Sequence, residues 1–241
     1  VEVNLKHFKQ VHIGSAIVHA DSLIAISHFK GHEATGFGGV LKNVGMGSGS
    51  RSGKQQMHSG LLPRIVTEKC KSCRKCMIWC PVQAISMNEH ACIEYEKCYG
   101  CGECTVTCPH GAIKINWKTE PDDIQEKIVE YVYGVLKDKK DRAGFTTFIM
   151  GVTPECDCAA WSDAPIIGDV GILASRDPVA LEQACVDLVN QQQGMVNSKL
   201  GDNAHQVDKF RALYPDIDWE VQLRYAEELG LGSRKYELIT I

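Results

Sequence analysis

The chain has 241 residues, 44% hydrophobic and 23% charged, with a formal net charge of -4. That composition suits one or two globular domains, leaves no basic footprint for a nucleic-acid partner, and contains no run near the ~20 apolar residues of a membrane span. Twelve cysteines, grouped in tight runs without a secretory h-region, argue against a small disulfide scaffold and for reduced thiolates in a cytoplasm.

In chain order, the opening "VEVNLKHF" alternates Val1, Val3, Leu5 and His7 against polar residues and predicts a strand. With no initiating methionine, it reads as a processed or truncated end. "SLIAIS", residues 22–27, is a continuous apolar run of the kind found in strands buried on both faces. It runs into "HFKGHEATGFGGVLKNVGMGSGSRSGK", which holds His28, Lys30, His32 and eight glycines. Glycines at this density let backbone approach a ligand, and a loop entering a helix offers amides to a phosphate. Gly36, Gly38, Gly39, Lys42 and Asn43 are its candidate cofactor-binding positions. Neither the dinucleotide nor the P-loop fingerprint fits. His28 and His32 read as site residues or, equally, as structural histidines.

Residues 70–81 and 98–109 share the spacing C-x2-C-x2-C-x3-C-P. Three thiolates at these intervals surround one corner of an iron–sulfur cubane, and the fourth is carried to the other cluster. The expected ligands are Cys70, Cys73, Cys76 and Cys108 for one [4Fe–4S] cluster, and Cys98, Cys101, Cys104 and Cys80 for the other. Structural zinc asks for two cysteine pairs across a longer loop and leaves the third cysteine, the fourth and the proline unexplained. Residues 61–117 resemble a bacterial two-cluster ferredoxin, including "PVQAI" after Cys80 and "PHGAI" after Cys108. Cys92 is spare and reads as a small core residue. Lys69, Lys71, Arg74 and Lys75 surround the first run, whereas Glu96, Lys97 and Glu103 flank the second. Positive charge favours a reduced cluster and an acidic redox partner protein.

Downstream, residues 120–140 predict an amphipathic helix with Ile124, Ile128, Val132 and Val135 near helical spacing. "FTTFIMGV" (145–152) and "VGILAS" (170–175) are strand candidates, and Asp177 with Pro178 marks a helix start. A last helix over "WEVQLRYAEEL" stops at Gly230, before a closing strand "YELITI". Between them, "TPECDC" sets Cys156 and Cys158 two apart, on one side of an extended segment. They are free loop thiols or a soft-metal, cluster-proximal or redox pair, and two idle exposed thiols would be an oxidation liability.

Strands alternating with helices predict an α/β host domain with a largely parallel sheet. It spans 1–60 and 118–241, with the α+β ferredoxin-like module at 61–117 inserted. Ligands of such sheets bind beyond the strands' carboxyl ends, which here lead into the histidine–glycine segment, "TPECDC" and "RDP". His28, Lys30, His32, Cys156 and Cys158 are therefore the candidate catalytic residues.

Together these segments, with "DVGILASRDPVALEQACVDLV" and "LGLGSRKYELITI", resemble the "domain of unknown function 362" family of iron–sulfur proteins, found largely in anaerobic bacteria and archaea. The resemblance implies a host domain with an inserted ferredoxin and no settled reaction. It also implies a further segment ahead of Val1, supplied by a separate chain if Val1 follows a cleavage. The function expected is that of an oxidoreductase passing low-potential single electrons through two [4Fe–4S] clusters to a substrate or second cofactor at the strand ends, with a further cofactor or metal unidentified. The alternatives are a pure electron carrier and a metal or cluster delivery protein using Cys156 and Cys158.

Overall fold

The computed structural model describes residues 1–58, 62–98, 100–114 and 121–241; the expected domain boundaries at 60–61 and 117–118 lie outside them. The first half runs α1 (Ser15–His19), β1 (Leu23–His28), β2 (Lys30–His32), β3 (Gly36–Gly38), α2 (Val40–Ser48), α3 (Arg51–His58) and β4 (Arg64–Ile65). Next come α4 (Lys75–Ile78), β5 (Ile85–Met87), β6 (Ala91–Ile93), α5 (Glu103–Thr107) and β7 (Ile113–Lys114). The rest comprises α6 (Pro121–Leu136), β8 (Ala143–Ile149), β9 (Gly171–Ser175), α7 (Pro178–Gln191), α8 (Lys209–Leu213) and α9 (Glu220–Glu228).

The fold is mixed α/β around a three-stranded sheet ordered β1-β8-β9. β1 and β8 pair in parallel from Leu23↔Ala143 to His28↔Phe148, while β9 is antiparallel to β8 from Ile149↔Gly171 to Phe145↔Ser175. The sheet is thus small and half parallel. A parallel return needs a crossover, but residues 150–170 contain no helix, and Val170 N–H bonds Ile149 O at 2.8 Å where β8 ends. In consequence the carboxyl end of β9 points away from those of β1 and β8. Arg176, Asp177 and Pro178 line, with Ala143 and Phe145, a separate cavity of about 600 Å³ at the opposite end.

Helices cover one face of the sheet, where Ala25, Phe145 and Ile149 are buried under α2 and α7. The other face is open: Ile24 is 78% exposed, Ile26 66% and Ile172 57%. "SLIAIS" is therefore buried on one face only. α6 packs against α2 and α9, and the expected Ile124, Ile128, Val132 and Val135 are all buried, the first two in a cluster with Val3, Val11 and Met57 and the last two in the main core. Asp177 caps α7 by accepting from Val179 and Ala180 N–H at 2.8 and 2.9 Å. Neither terminal strand forms: "VEVNLKHF" contributes a single bridge, Glu2↔Gln10, and residues 236–241 are exposed and unpaired with any strand.

β4 and β7 pair antiparallel, Arg64↔Lys114 and Ile65↔Ile113, so the intervening span leaves and re-enters the chain at neighbouring points. This cysteine-rich unit has its own apolar cluster, including Ile65, Ile85, Ala91, Ile93 and Ile113, apart from the main core. Cys92 lies outside that cluster: it is exposed on β6, its thiol directed to His90 O at 3.7 Å. The residue alternates with inward-facing Ala91 and Ile93, and period-two geometry turns it outward.

Candidate functional site

Within the cysteine-rich unit, the two runs exchange their last members. One pocket is lined by Cys70, Cys73, Cys76 and Cys108, together with Lys71 and Arg74; the other is lined by Cys80, Cys98, Cys101 and Cys104. α4 and α5 lie side by side and carry the third cysteine of each run, Cys76 and Cys104, both buried. The turn after each proline swings the next backbone amide back onto sulfur: Ala84 N–H donates to Cys80 Sγ at 3.2 Å and Ala112 N–H to Cys108 Sγ at 3.3 Å. Ala91 N–H donates to Cys70 Sγ at 3.5 Å. Burial pushes the Cys104 thiol up to about 12, with Cys101 and Cys98 adding to the shift. Four sulfurs in apolar walls cannot ionise together without a compensating cation. Amide donors aimed at sulfur in such a pocket fit an iron–sulfur cluster.

The two pockets differ in exposure. Cys73 and the surrounding Lys69, Lys71, Arg74 and Lys75 are exposed, whereas Cys101, Gly102 and Cys104 are buried. Gly102, with φ of 71°, lies where a Cβ would meet Gln55 Cγ of α3 at 2.0 Å, so the second pocket abuts the host. Gln55 Nε2 is a buried donor with no partner among the described residues.

The second constellation forms where β1 and β8 end. The β2–β3 hairpin turns back over Phe29, Phe37 and Phe210, whose ring centroids lie 5.1–5.7 Å apart. Gly31 lets the hairpin press on the loop after β8, where a Cβ would come 2.1 Å from Pro154 O. The ligating atoms of His32, Cys156 and Cys158 consequently lie within 4.8 Å of one another. The thiols converge through a turn, closed by Ala159 N–H on Cys156 O at 2.8 Å, and the expected extended segment is absent.

Lys42 of α2 completes the group, with Nζ 3.1 Å from Cys156 Sγ and 3.5 Å from Cys158 Sγ. Lys30 and His28 serve from the flank. Lys30 Nζ lies 2.8 Å from Asp157 Oδ2, and His28 Nδ1 lies 3.2 Å from the same carboxylate. They hold Asp157, between the two cysteines, and do not touch sulfur.

Electrostatics make the thiols unequal. Burial, the largest effect, pushes Cys156 up, but Cys158 N–H, the Lys42 ammonium and the charge of Lys30 outweigh it and leave the thiol below its ordinary range. Cys158 is raised by burial against the opposing Lys42, and further by donating its S–H to Cys156. Burial, then Lys42, His58 and Lys30, lower His32 to about 3, so its ring is neutral. Ala34 N–H donates to His32 Nδ1 at 3.1 Å, which leaves the ring proton on Nε2. Two thiols and an imidazole form a soft-metal donor set. Two features oppose a cation here: an ammonium already faces both sulfurs, and a metal-bound histidine donates through its other nitrogen instead of accepting there.

The candidate cofactor positions divide. Lys42 belongs to the thiol site, but Asn43 donates to Ile26 O at 3.0 Å and Ser27 Oγ at 2.9 Å, tying α2 to β1. The amides expected to face a phosphate, Val40 and Leu41 N–H, go to the Glu182 carboxylate at 2.8 and 3.3 Å. Gly36, Gly38 and Gly39 are buried, the last packed on Glu182 and Phe29, so protein already occupies the space these glycines open. Sequence reasoning missed two participants, His58 and Asp157, and assigned a third, Lys42, to a cofactor instead of the thiols. The partnership of Lys42 with sulfur leaves no local signal, and neither does His58, whose own value burial and then Lys42 depress. Asp157 had one, a charge set between two thiols on a loop.

Against known proteins, a family model described as Domain of unknown function (DUF362) matches residues 1–187. No curated protein matches the chain.

Proposed function

The chain belongs to the family described as Domain of unknown function (DUF362), and from that premise we propose that it is a low-potential electron-delivery protein. In this reading Cys70, Cys73, Cys76 and Cys108 hold one [4Fe–4S] cluster and Cys80, Cys98, Cys101 and Cys104 a second. Each cluster supplies reversible storage of one electron. Lys69, Lys71, Arg74 and Lys75 form the entry, where an acidic donor docks. Exit is through the host, because Gln55 lies against Gly102 and His58, about one helical turn further along α3, is near enough to Lys42 and His32 for their charges to act on one another. The ferredoxin-like unit and its host then act as one redox protein suited to a reducing cytoplasm.

The observation that carries the reading is the exchange of the fourth cysteine between two pockets that both contain N–H donors to sulfur. Protein purified without oxygen is expected to contain about eight iron and about eight acid-labile sulfide per chain. Cys80→Ala is expected to remove the electron paramagnetic resonance signal of the cluster in the second run and to spare the first. Zinc in place of iron, or loss of the first signal alone, would overturn it.

A pure carrier is the second reading. Ile78 and Trp79, 79% and 61% exposed beside the basic rim, favour it, because they offer one docking surface that could serve both donor and acceptor. The two readings part on whether reducing equivalents reach Cys156 and Cys158.

A further inference from the structure

We propose that Cys156 and Cys158 form a reversible thiol–disulfide couple acting on small anionic disulfides, with Cys156 as the attacking thiolate and Cys158 as the resolving thiol. That this couple also accepts electrons from the cysteine-rich unit rests on the cluster reading; the exchange chemistry does not.

The roles follow from Lys42, whose Nζ lies nearer Cys156 Sγ, at 3.1 Å, than Cys158 Sγ, at 3.5 Å. The turn at Cys156–Ala159 brings the two sulfurs within 4.8 Å, close enough for a modest side-chain rotation to join them. Cys156 is buried in the lining of a recess formed with Asp157, Ala159, Ala160, Trp161 and Ser162, whereas Cys158 is exposed and lies outside that lining. Lys42 faces both sulfurs, while the Asp157 carboxylate is drawn away to Lys30 and His28. The charge felt at sulfur is therefore positive, which stabilises a thiolate and attracts an anionic reactant. Burial opposes ionisation of both thiols, but only Cys156 has enough compensating donors to fall below the ordinary thiol range.

The step balances within the pair and its reactant. Cys156 thiolate attacks one sulfur of R–S–S–R, the S–S bond breaks, and the departing thiolate takes the Cys158 proton. Cys158 thiolate then attacks Cys156 Sγ and expels the second thiolate, which is protonated by water. Two electrons have passed from the pair to the reactant, leaving Cys156 and Cys158 joined. One intervening residue forces such a bond off its preferred geometry, and a strained disulfide is readily reduced. The oxidised pair therefore suits an acceptor for two single electrons from a low-potential source.

The test uses the chain purified without oxygen in a Cys92→Ser background, reduced, desalted and exposed to oxidised glutathione. Peptide masses and iron content are read from the same samples. The parent is expected to lose two hydrogens from the peptide carrying Cys156 and Cys158. Cys158→Ser is expected to trap glutathione on Cys156, and Cys156→Ser to react at Cys158 about tenfold more slowly at pH 7. Lys42→Met is expected to slow Cys156 about tenfold and move its pH profile upward, with Lys42→Arg restoring it. Attack through Cys158 with Cys156 untouched, indifference to Lys42, or a stoichiometric zinc ion released by His32→Ala would overturn the proposal. Intact iron without exchange sinks the couple alone, whereas exchange without iron sinks the electron-delivery reading alone.

Discussion

Glu182 is fully buried on α7, yet its carboxylate accepts from the first two amides of α2, the helix that carries Lys42 to the thiols. α2 has no side-chain cap of its own, so a residue about 140 positions away satisfies helix-end donors that would otherwise be buried unpaired. Burial raises Glu182 from 4.5 to about 7 against the lowering pull of Val40 and Leu41 N–H. Between those values the folded protein holds a proton that the unfolded chain has released, so this contribution to stability is present below pH 4.5 and is lost as pH rises toward 7. Glu182→Gln should flatten the pH dependence of the urea midpoint across that window. Glu182→Ala, which leaves both amides unpaired, should cost about 2–3 kcal/mol. Equal pH slopes in parent and Gln variant would remove Glu182 from the account. Asp157 is the opposite case: burial pushes it up, but Lys30 and His28 overcome the push and hold it below the ordinary carboxylate range.

At the scale of elements, short pieces with unequal surroundings do the positioning. α4 and α5 occupy equivalent places in the repeat, and α4 has an exposed basic rim with the exposed side chains of Ile78 and Trp79 at its end. Exposed charges act through long-range attraction that salt screens beyond about 10 Å. Lys71→Gln with Lys75→Gln should therefore slow reduction by an acidic donor at low salt and leave the rate at high salt near that of the parent, as stopped-flow absorbance can show. It should also lower the potential of the cluster in the first run, because positive charge favours the reduced state. An unchanged rate and potential at every ionic strength would reduce these lysines to solvated surface.

At the scale of the whole molecule, one contact between the cysteine-rich unit and the host is made at Gly102. An alanine there would carry its Cβ into Gln55 Cγ and would have to hold a φ of 71°, a conformation costing an L-residue about 1 kcal/mol or more. Gly102→Ala should lower stability by about 1–2 kcal/mol and reduce the iron retained in the second pocket. Adding Gln55→Ala should recover the steric part but not the backbone part. Full additivity of the two substitutions would show that the loop and α3 do not press on one another. The open sheet face belongs to the same scale: helices reach Ala25 and Phe145 on one side, while Ile24, Ile26 and Ile172 remain exposed on the other.

What the sequence determined by itself were features written in local spacing. The two cysteine runs, the helix over 121–136, and the Asp177–Pro178 start of α7 each depend on neighbours within a few residues, and such signals survive without knowledge of the fold. The convergence of His32 with Cys156 and Cys158 was legible in part, since the parallel pairing of β1 with β8 brings the loops after them together. What tertiary structure decided was everything set by partners far along the chain. The direction of β9 followed from a connection without a crossover helix, and the open face of β1 from the absence of a second covering layer among the described residues. The glycine-rich segment is in sequence a candidate for cofactor binding, although no nucleotide fingerprint fits, because its amides are available locally; those of Val40 and Leu41 are taken by Glu182, a carboxylate more than a hundred residues on. Lys42 likewise has no mark of a thiol partner in its own helix. Its Nζ meets Cys156 only because burial of the hairpin and α2 places them on one side of the molecule, and long-range packing of that kind leaves no period or motif to read.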